Sequence, residues 1–421
     1  MSFISRFFSG SKDENLPGLA ELLEARGVAP QALNFDENFF RDFDSLKASE
    51  RATVADAIAS LVAQGLPMPP PWSEAQYELL PKIIPTWQGE RDPYYYHPCF
   101  DKLSKMLLAS GQPVPPEWFV IWDIGEDEAM DIATDHLEEL SKEKPFVRLS
   151  TGIYRSDFGD GIDSSRVLLA HHWNQLFPGQ NTFIAIPTVD TLLVAPQILL
   201  PKLAEAIGES VSNSMKETGQ DLLAVTMYQW VDGKLMPASL QEPHPMIQPQ
   251  REFRQMDTVA AYNAQTEPLA KMQIGEPCSL GLIKTQQGRT LTLTTWIEGR
   301  PAIIPDSDLL AFMSAKGRPL GLYWRQTIPR LNRIKGVHVD IWGPRRLLFS
   351  EFPNAEEMEQ LECFAPSDVH AQLLDPKATR QQNRPPQSQQ NHAASASASS
   401  NSPVPAHLRG LSLGVQGDTQ D

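Results

Sequence analysis

Proline is the residue that most constrains this chain, because it fixes φ and has no backbone N–H to donate. It accounts for 36 of the 421 residues, roughly 9% against a usual ~5%. Helices and strands are therefore expected to be short and often interrupted. The clearest interruption contains Pro67, Pro69, Pro70 and Pro71, which end a helix that apolar spacing predicts over 50–64.

The overall composition predicts a folded, acidic protein of two or three domains. Hydrophobic residues make up 41% of the chain and charged residues 21%, so a core can form and global disorder is excluded. The 36 basic and 52 acidic residues give a formal net charge of -16. A general nucleic-acid binder needs positive charge to displace phosphate counterions, so this charge argues against that class and leaves room only for a local basic groove.

Cysteine usage and hydropathy favour a cytoplasmic location. Cys99, Cys278 and Cys363 are far apart and odd in number, which disfavours a disulfide framework and a structural zinc site. The apolar run at 3–8 is too short for a secretion signal, and docking on the protein's own core is favoured over contact with a membrane surface. No stretch approaches ~18 apolar residues, so no membrane span is expected.

The residue patterns divide the chain into five regions that together predict an α+β fold. The first two are a helical N-terminal region at 1–120 and, at 121–240, an α+β core with a mixed, mainly antiparallel sheet and packed helices. They are followed by a linker and helix at 241–275, a second antiparallel strand-rich block at 276–370 and a disordered tail at 376–421. Within the first region, further short helices are predicted at 74–84 and 98–110. The tail has no aromatic residue and is rich in Gln, Asn, Ser and Ala, so it cannot bury enough apolar area to fold.

Two hairpins are predicted in the α+β core. Residues 182–196 contain two apolar strands joined by a proline-initiated turn at Pro187–Asp190. Residues 221–239 contain a second hairpin with Asp232-Gly233 at its turn. Because the strands of the first hairpin are apolar on both faces, they are expected to be buried on both sides of the sheet.

Two helices flank these strands in the sequence. The helix predicted over 125–143 carries many acidic residues, which indicate a solvated outer face. The helix predicted over 163–177 begins with Asp163 or Ser164 as a good N-cap and contains His171 and His172. Neighbours on a helix point about 100° apart, so these two histidines are not expected to chelate one ion together.

The segment 154–166, with the sequence YRSDFGDGIDSSR, is the most suggestive of chemistry. Asp157, Asp160 and Asp163 recur every three residues beside two glycines, and carboxylates clustered on such a turn can bind a divalent cation. The alternative is a tight turn that ends at the Asp163 cap, since the spacing is not that of an EF-hand loop. Arg166 lies within reach of Asp160, with Asp157 as a second candidate partner, and is expected to form an ion pair that holds the turn closed.

The hairpin turn at Asp190 offers one more carboxylate. A strand–turn–helix–strand path can bring it to the same end of the sheet as the 157–163 turn, although the opposite end is open to it as well. If the two turns meet, Asp157, Asp160 and Asp190 become the polar groups of a candidate site, with Tyr154 as a wall.

Hydrolase and NTPase motifs do not occur in the sequence, which has no HExxH, GxSxG or P-loop pattern. A group of cations interleaved with Tyr323, Trp324 and Trp342 has two interpretations. They form either a basic and aromatic groove for a phosphate-bearing ligand or, as the favoured account, solvated charges and local ion pairs. The cations are Arg318, Arg325, Arg330, Arg333, Lys335, Arg345 and Arg346.

Four motifs follow one another over residues 120–235. They are the acidic helix DEAMDIATDHLEEL, the turn and helix GDGIDSSRVLL, the hairpin FIAIPTVDTLLVA and the hairpin LLAVTMYQWVDGKLMP. Within them, a distinctive set of positions consists of Gly159, Asp160, Gly161, Ser165, Arg166, Leu168, Pro187, Asp190, Leu192 and Leu193. In these positions and in the order of its motifs, the segment resembles the YtpQ-like bacterial family, a domain of unknown function. The resemblance implies a bacterial cytosolic α+β protein with no established activity, and residues 240–421 lie outside it.

The leading functional interpretation is a non-enzymatic binding or scaffold protein of the bacterial cytosol that acts with a protein partner. The alternative is a metal-dependent enzyme that uses the turn at Asp157, Asp160 and Asp163. No cofactor is strongly implied, and a divalent cation is the one candidate.

Overall fold

Helices and mainly antiparallel sheets make up the computed structural model of the protein, which confirms the predicted α+β class. The structure describes residues 18–30, 33, 43–142, 146–217, 222–231, 234–240, 244–285, 288–326, 334, 336–339 and 342–362. They belong to one compact unit, Met1–Ala371. The N-terminal apolar run, the Asp232-Gly233 turn and the predicted disordered tail lie outside the described residues. Across the described ranges, no helix combines the length and apolarity that a bilayer crossing requires.

The N-terminal region contains a sheet as well as helices. Its helices are α1 Leu19–Glu24, α2 Ala48–Gln64, α3 Trp72–Ala75, α4 Thr86–Arg91 and α5 Pro116–Trp122. Helix α6 Glu126–Ser141 follows in the predicted α+β core and confirms the helix predicted over 125–143. The strands of the N-terminal region are β1 Leu79–Pro85, β2 Tyr96–Phe100, β3 Leu103–Ala109 and β4 Gln112–Pro113, and β3 pairs antiparallel with each of the others. The helix predicted over 50–64 is confirmed. The helices predicted at 74–84 and 98–110 are wrong, because most of these residues are in strands.

Tryptophan side chains of α5 hold the proline segment that follows α2. The indole N–H of Trp118 donates to the Pro67 carbonyl at 2.9 Å, and that of Trp122 donates to the Pro70 carbonyl at 2.8 Å. Trp72 packs on Trp122 with ring centroids 5.4 Å apart. Since a proline keeps its carbonyl acceptor, side chains fix this segment in place of a backbone ladder.

A six-stranded antiparallel sheet is the centre of the fold. Its strands are β5 Val147–Arg148, β6 Tyr154–Arg155, β7 Thr182–Thr188, β8 Thr191–Pro196, β9 Leu222–Val231 and β10 Lys234–Pro237, in the order β10-β9-β7-β8-β6-β5. Both predicted hairpins are present. Thr188 pairs with Thr191, so the first hairpin turns through Val189 and Asp190, and Pro187 lies in the strand rather than in the turn. The sequence predicts a mixed sheet, whereas every described pairing in it is antiparallel.

Both faces of the central sheet are covered. Helices α8 Leu200–Glu217 and α9 Ile247–Ala264 pack on one face. The other face packs against β1, β3 and a helical segment that consists of a 3₁₀ helix, Asp163–Leu168, and α7 Ala170–Asn174. The continuous helix predicted over this segment is therefore interrupted at Leu169. All residues of β7 are buried, which confirms the predicted burial on both sides.

The C-terminal block contains two four-stranded sheets, ordered β11-β14-β18-β17 and β12-β13-β15-β16. Its elements are α10 Thr266–Lys271, β11 Glu276–Pro277, β12 Leu280–Lys284, β13 Thr290–Ile297, β14 Ala302–Pro305, β15 Leu309–Met313, β16 Pro319–Trp324, β17 Val337–Val339, β18 Arg346–Phe349 and α11 Ala355–Glu362. Strands β11 and β14 pair in parallel, as do β13 and β15, so the block is mixed rather than wholly antiparallel. Trp296, Phe312 and Phe349 lie in the core that the two sheets share.

Helix α9 bonds to both the central sheet and the C-terminal block. Its Asp257 accepts hydrogen bonds from the amide and the hydroxyl of Thr226 in β9. Its Asn263 exchanges two hydrogen bonds with the backbone of Leu280 in β12, at 2.8 and 2.9 Å. The region predicted as a linker and helix, 241–275, thus contributes a helix that is bonded to the central sheet and to the C-terminal block.

The two cysteines among the described residues are free thiols, as the sequence predicts. Burial raises the pKa of Cys99 and of Cys278 to about 12, so neither is a thiolate at neutral pH. Cys363 lies outside the described residues.

Candidate functional site

The aspartate-rich turn between β6 and the 3₁₀ helix closes on itself. The buried carboxylate of Asp163 accepts hydrogen bonds from the amides of Phe158 at 2.9 Å and Gly159 at 3.1 Å. It therefore binds the loop that precedes it, and the predicted role as an N-cap of the following helix is wrong. Gly159 and Gly161 have φ values of 68° and 77°, a left-handed conformation that favours glycine.

Arg166 joins this turn to helix α6. Its guanidinium is 1% exposed and donates to both carboxylate oxygens of Asp160, at 3.0 and 2.6 Å, which confirms the expected ion pair. Its Nε donates to Ser141 Oγ at 3.1 Å, and its charge lies 3.6 Å from the centre of the Phe158 ring. Burial raises the pKa of Asp160, but the hydrogen bonds and charge of Arg166 outweigh burial and hold that pKa below its ordinary value.

The hairpin turn at Asp190 meets the aspartate-rich turn at the same end of the sheet, which is one of the two arrangements that the sequence leaves open. The amide of Ser164 donates to the carbonyl of Val189 at 2.9 Å. A Cβ atom placed on Gly161 would lie 4.0 Å from Asp190 Oδ1. The two turns are therefore in direct contact.

The aspartates of this turn nevertheless serve separate partners. Asp157 is exposed and pairs with Arg155 at 3.4 Å, while the other two are held by a guanidinium and by main-chain amides. Tyr154, the expected wall, packs edge-on against Phe177 with ring centroids 5.4 Å apart. Within the described part of the chain, no aspartate of either turn belongs to a group of three side chains that could ligate a metal.

A different group of side chains converges where α6 contacts α7. Helix α7 begins directly after the break at Leu169, so its first turn carries His171 and His172 opposite Glu138 of α6. The two imidazole rings have centroids 4.4 Å apart, and His171 Nε2 lies 3.3 Å from Glu138 Oε1. One ligand atom from each of the three residues lies within 4.8 Å of the other two.

The ligand atoms of His171 and His172 do come together, so the expectation that the two residues cannot chelate one ion together loses its geometric basis. The separation of about 100° between helix neighbours applies to the directions in which their side chains leave the backbone. Imidazole nitrogens lie at the far end of two rotatable bonds, so rotation can bring them back together. Here the rings are tilted by 48° and their nitrogens meet the carboxylate of the neighbouring helix.

His172 has a buried nitrogen that needs a partner. Among the described residues, nothing forms a hydrogen bond with its Nε2, which solvent does not reach. Leaving a buried polar atom unpaired costs about 1–3 kcal/mol. Burial, followed by the charge of His171, lowers the pKa of His172, which favours the neutral ring that binds metals.

The charges around this group are mixed. After burial, the charges of His171, Arg166 and Lys142 lower the pKa of His172, whereas the charge of Glu138 raises it. Arg166 and Lys142 are each paired with a carboxylate, and Glu138 Oε1 lies 3.3 Å from His171 Nε2, so Glu138 is the group that attracts a positive ion here. The side chains of His171 and Glu138 are 53% and 40% exposed, so an ion can reach them from solvent.

Glu138 is a site residue that the sequence does not predict. It is one of many acids on a helix whose charged face is interpreted as solvated. The adjacent pair His171 and His172 is the signal that could have located the group, because imidazole is a common metal ligand.

Comparison with protein-family models, with curated proteins and with solved structures gives no match to this chain. The resemblance to the YtpQ-like family therefore stays a prediction. The chemistry of the described side chains is what supports a functional proposal.

Proposed function

We propose that this protein is a binding protein that holds one divalent transition-metal ion at Glu138, His171 and His172. The observation that carries the proposal is the convergence of their ligand atoms within 4.8 Å across two helices. Two imidazole nitrogens and one carboxylate oxygen suit Zn²⁺ and its transition-metal neighbours. Mg²⁺ and Ca²⁺ instead take sets of oxygen ligands.

A bound ion would link α6 to α7 at the corner that already contains the Arg166 network. Arg166 bonds to Ser141, which lies one helical turn beyond Glu138 on α6. An ion that binds only the folded chain stabilises it by mass action. Metal binding at this corner is therefore expected to raise the melting temperature as well as to fill the site.

The exposure of the ligands favours binding over catalysis. With His171 and Glu138 about half exposed, a bound ion would face solvent, whereas catalytic metals act in shaped, dry cavities. The alternative of an enzyme that uses the turn at 157–163 has lost support, because the carboxylates of that turn have separate partners. A protein partner and a bacterial cytosolic location are kept as proposals, and co-purification from the source cells tests both.

Calorimetric titration of the untagged protein with Zn²⁺ tests the metal proposal. The wild type should bind one equivalent, and His172→Gln and Glu138→Gln should each weaken binding by about tenfold or more, because each removes a ligand. His97→Gln is the matched control, since it removes an exposed histidine on β2 and should leave binding unchanged.

Asp157→Asn distinguishes this site from the aspartate-rich turn. Zinc binding that is insensitive to His172→Gln and Glu138→Gln but weakened by Asp157→Asn would return the site to the turn. A wild-type protein that binds no equivalent of Zn²⁺ would overturn the proposal altogether. Circular dichroism of each variant shows whether a lost affinity reflects a lost ligand or a lost fold.

A further inference from the structure

The C-terminal block contains a cavity that the metal proposal does not use. It opens between the sheet that contains β14, β17 and β18 and the chain that follows β16, and it has a volume of about 190 Å³. Its lining residues are Ile304, Asp306, Arg325, His338, Arg345 and Leu347. Two arginines and a histidine thus lie beside a single aspartate in one cavity of a protein whose net charge is -16.

The two arginines of this cavity differ in how their charges are balanced. Arg325 forms an ion pair with Asp306. Arg345 instead directs its Nε to His338 Nδ1 at 3.0 Å and its Nη2 to His338 Nε2. Among the residues that the structure describes, no carboxylate pairs with Arg345.

The contacts of Arg345 with His338 leave some guanidinium donors to solvent, because both side chains are exposed. A neutral imidazole has one acceptor nitrogen, and its other nitrogen carries a hydrogen. Both guanidinium donors therefore cannot be accepted by the same ring, and a protonated ring would accept neither. An anion placed between the two side chains would accept hydrogen bonds from both.

The next residue in the chain adds a second positive charge, and among the described residues no carboxylate pairs with it. Arg346 is 4% exposed, its Nη1 donates to the Pro344 carbonyl at 2.9 Å, and its guanidinium lies 4.7 Å from the centre of the Tyr262 ring. In the described part of the chain nothing bonds to its Nη2. Burial lowers the pKa of Arg346 to about 10, so it remains charged at neutral pH and contributes a positive field beside the cavity.

We propose that this cavity binds the phosphate group of a small phosphorylated molecule, with Arg345 as the main ligand and His338 and Arg325 as additional donors. A guanidinium presents parallel N–H groups that match two oxygens of a phosphate. Ile304 and Leu347 supply an apolar wall for the carbon part of the ligand. The proposal is independent of the metal site.

The cavity accounts for part of the group of cations that are interleaved with aromatic residues in the sequence. Arg325 and Arg345 line the cavity, and Arg346 is the buried neighbour of Arg345 in the chain. Arg318 lies in the exposed turn between β15 and β16, outside the residues that line the cavity. The other three cations of that group, Arg330, Arg333 and Lys335, lie outside the described residues.

Calorimetric titration with inorganic phosphate and with glycerol phosphate tests the proposal. The wild type should bind saturably, and Arg345→Gln should weaken binding by about tenfold or more, as expected for the loss of charge-assisted hydrogen bonds. Arg318→Gln removes the same charge from an exposed turn and should bind as the wild type does. Tighter binding of glycerol phosphate is expected from the apolar wall, whereas equal binding would assign the cavity to free phosphate.

Two results would overturn the proposal. One is the absence of saturable binding of either probe by the wild-type protein. The other is equal weakening by Arg345→Gln and Arg318→Gln, which would show attraction to the overall basic surface rather than to the cavity. Arg345 is exposed, so its substitution should leave the melting temperature unchanged and the comparison valid.

Discussion

Replacement of Arg166 by methionine tests how the aspartate-rich turn is held together. The substitution keeps an unbranched apolar stem and removes the guanidinium. The variant loses both hydrogen bonds to Asp160, the bond to Ser141 and the stacking on Phe158. The carboxylate of Asp160 is then left without its cation.

The expected loss of stability follows from the burial of the two partners. Removing one member of a buried ion pair costs about 3–5 kcal/mol, because a charge is stranded. The Asp160 side chain is 33% exposed, so water can hydrate it once Arg166 is gone, and the cost should fall near the lower limit. Loss of the contact with the Phe158 ring adds about 1 kcal/mol. We therefore expect Arg166→Met to cost about 3–4 kcal/mol.

Urea unfolding of a double-mutant cycle measures this value. Arg166→Met and Asp160→Asn should each destabilise the protein, and the double variant should cost less than the sum of the two by about 2 kcal/mol. Arg155→Met is the matched control, since it breaks the exposed pair with Asp157 and should cost about 0–1 kcal/mol. Strict additivity, or a cost for Arg166→Met no larger than that of the control, would refute the assigned role of the network.

Three further predictions follow from individual contacts. Burial raises the pKa of Asp257 from 3.8 to about 6, so ionisation of this carboxyl opposes folding as pH rises through that window. The contribution of Asp257 to the free energy of unfolding should therefore fall by about 3 kcal/mol between these pH values. If Asp257→Asn showed the same dependence of unfolding free energy on pH in urea titrations as the wild type, this prediction would be contradicted. Gly161→Ala should lower the free energy of unfolding by about 1–2 kcal/mol, because Gly161 has a positive φ. Gly208→Ala lies in α8 with open space around it, so it should stabilise the protein by about 0.5–1 kcal/mol and raise the melting temperature. Asn263→Ala should cost about 1–3 kcal/mol for its two hydrogen bonds, and unchanged hydrogen exchange at the Leu280 amide would contradict it.

Elements whose patterns are decided locally were predictable from the sequence. The hairpin of β7 and β8 has apolar residues on both faces and a two-residue turn, and the structure buries it as expected. The Asp160–Arg166 pair spans only six residues, so the turn itself brings the partners together. Chain proximity alone was enough in both cases.

Strands β1 and β3 could not be predicted in the same way. Their apolar runs are short, and such runs fit a helix or a strand equally well by periodicity. Pro81 and Pro85 also argue against a strand, yet β1 lies at the edge of its sheet, where prolines are tolerated. Edge position is a tertiary property that a single sequence does not reveal.

The metal group was missed for a related reason. Glu138 and His171 lie on different helices, and their approach depends on the packing of α6 against the segment that contains the 3₁₀ helix and α7. The aspartates of the turn were more conspicuous in the sequence because they are close together along the chain. Because these aspartates are close along the chain, they share one turn, but each binds a different partner.

Helix α9 has a consequence for how this gene can be cut and recombined. Its Asp257 supplies acceptors to β9, and its Asn263 supplies both a donor and an acceptor to β12. A crossover upstream of residue 247 would separate β9 from these carboxylate oxygens, and a crossover just after residue 264 would separate Asn263 from its strand. The helix and the strands on either side of it should therefore be inherited together, and chimaeras joined between residues 231 and 280 should be less stable than either parent.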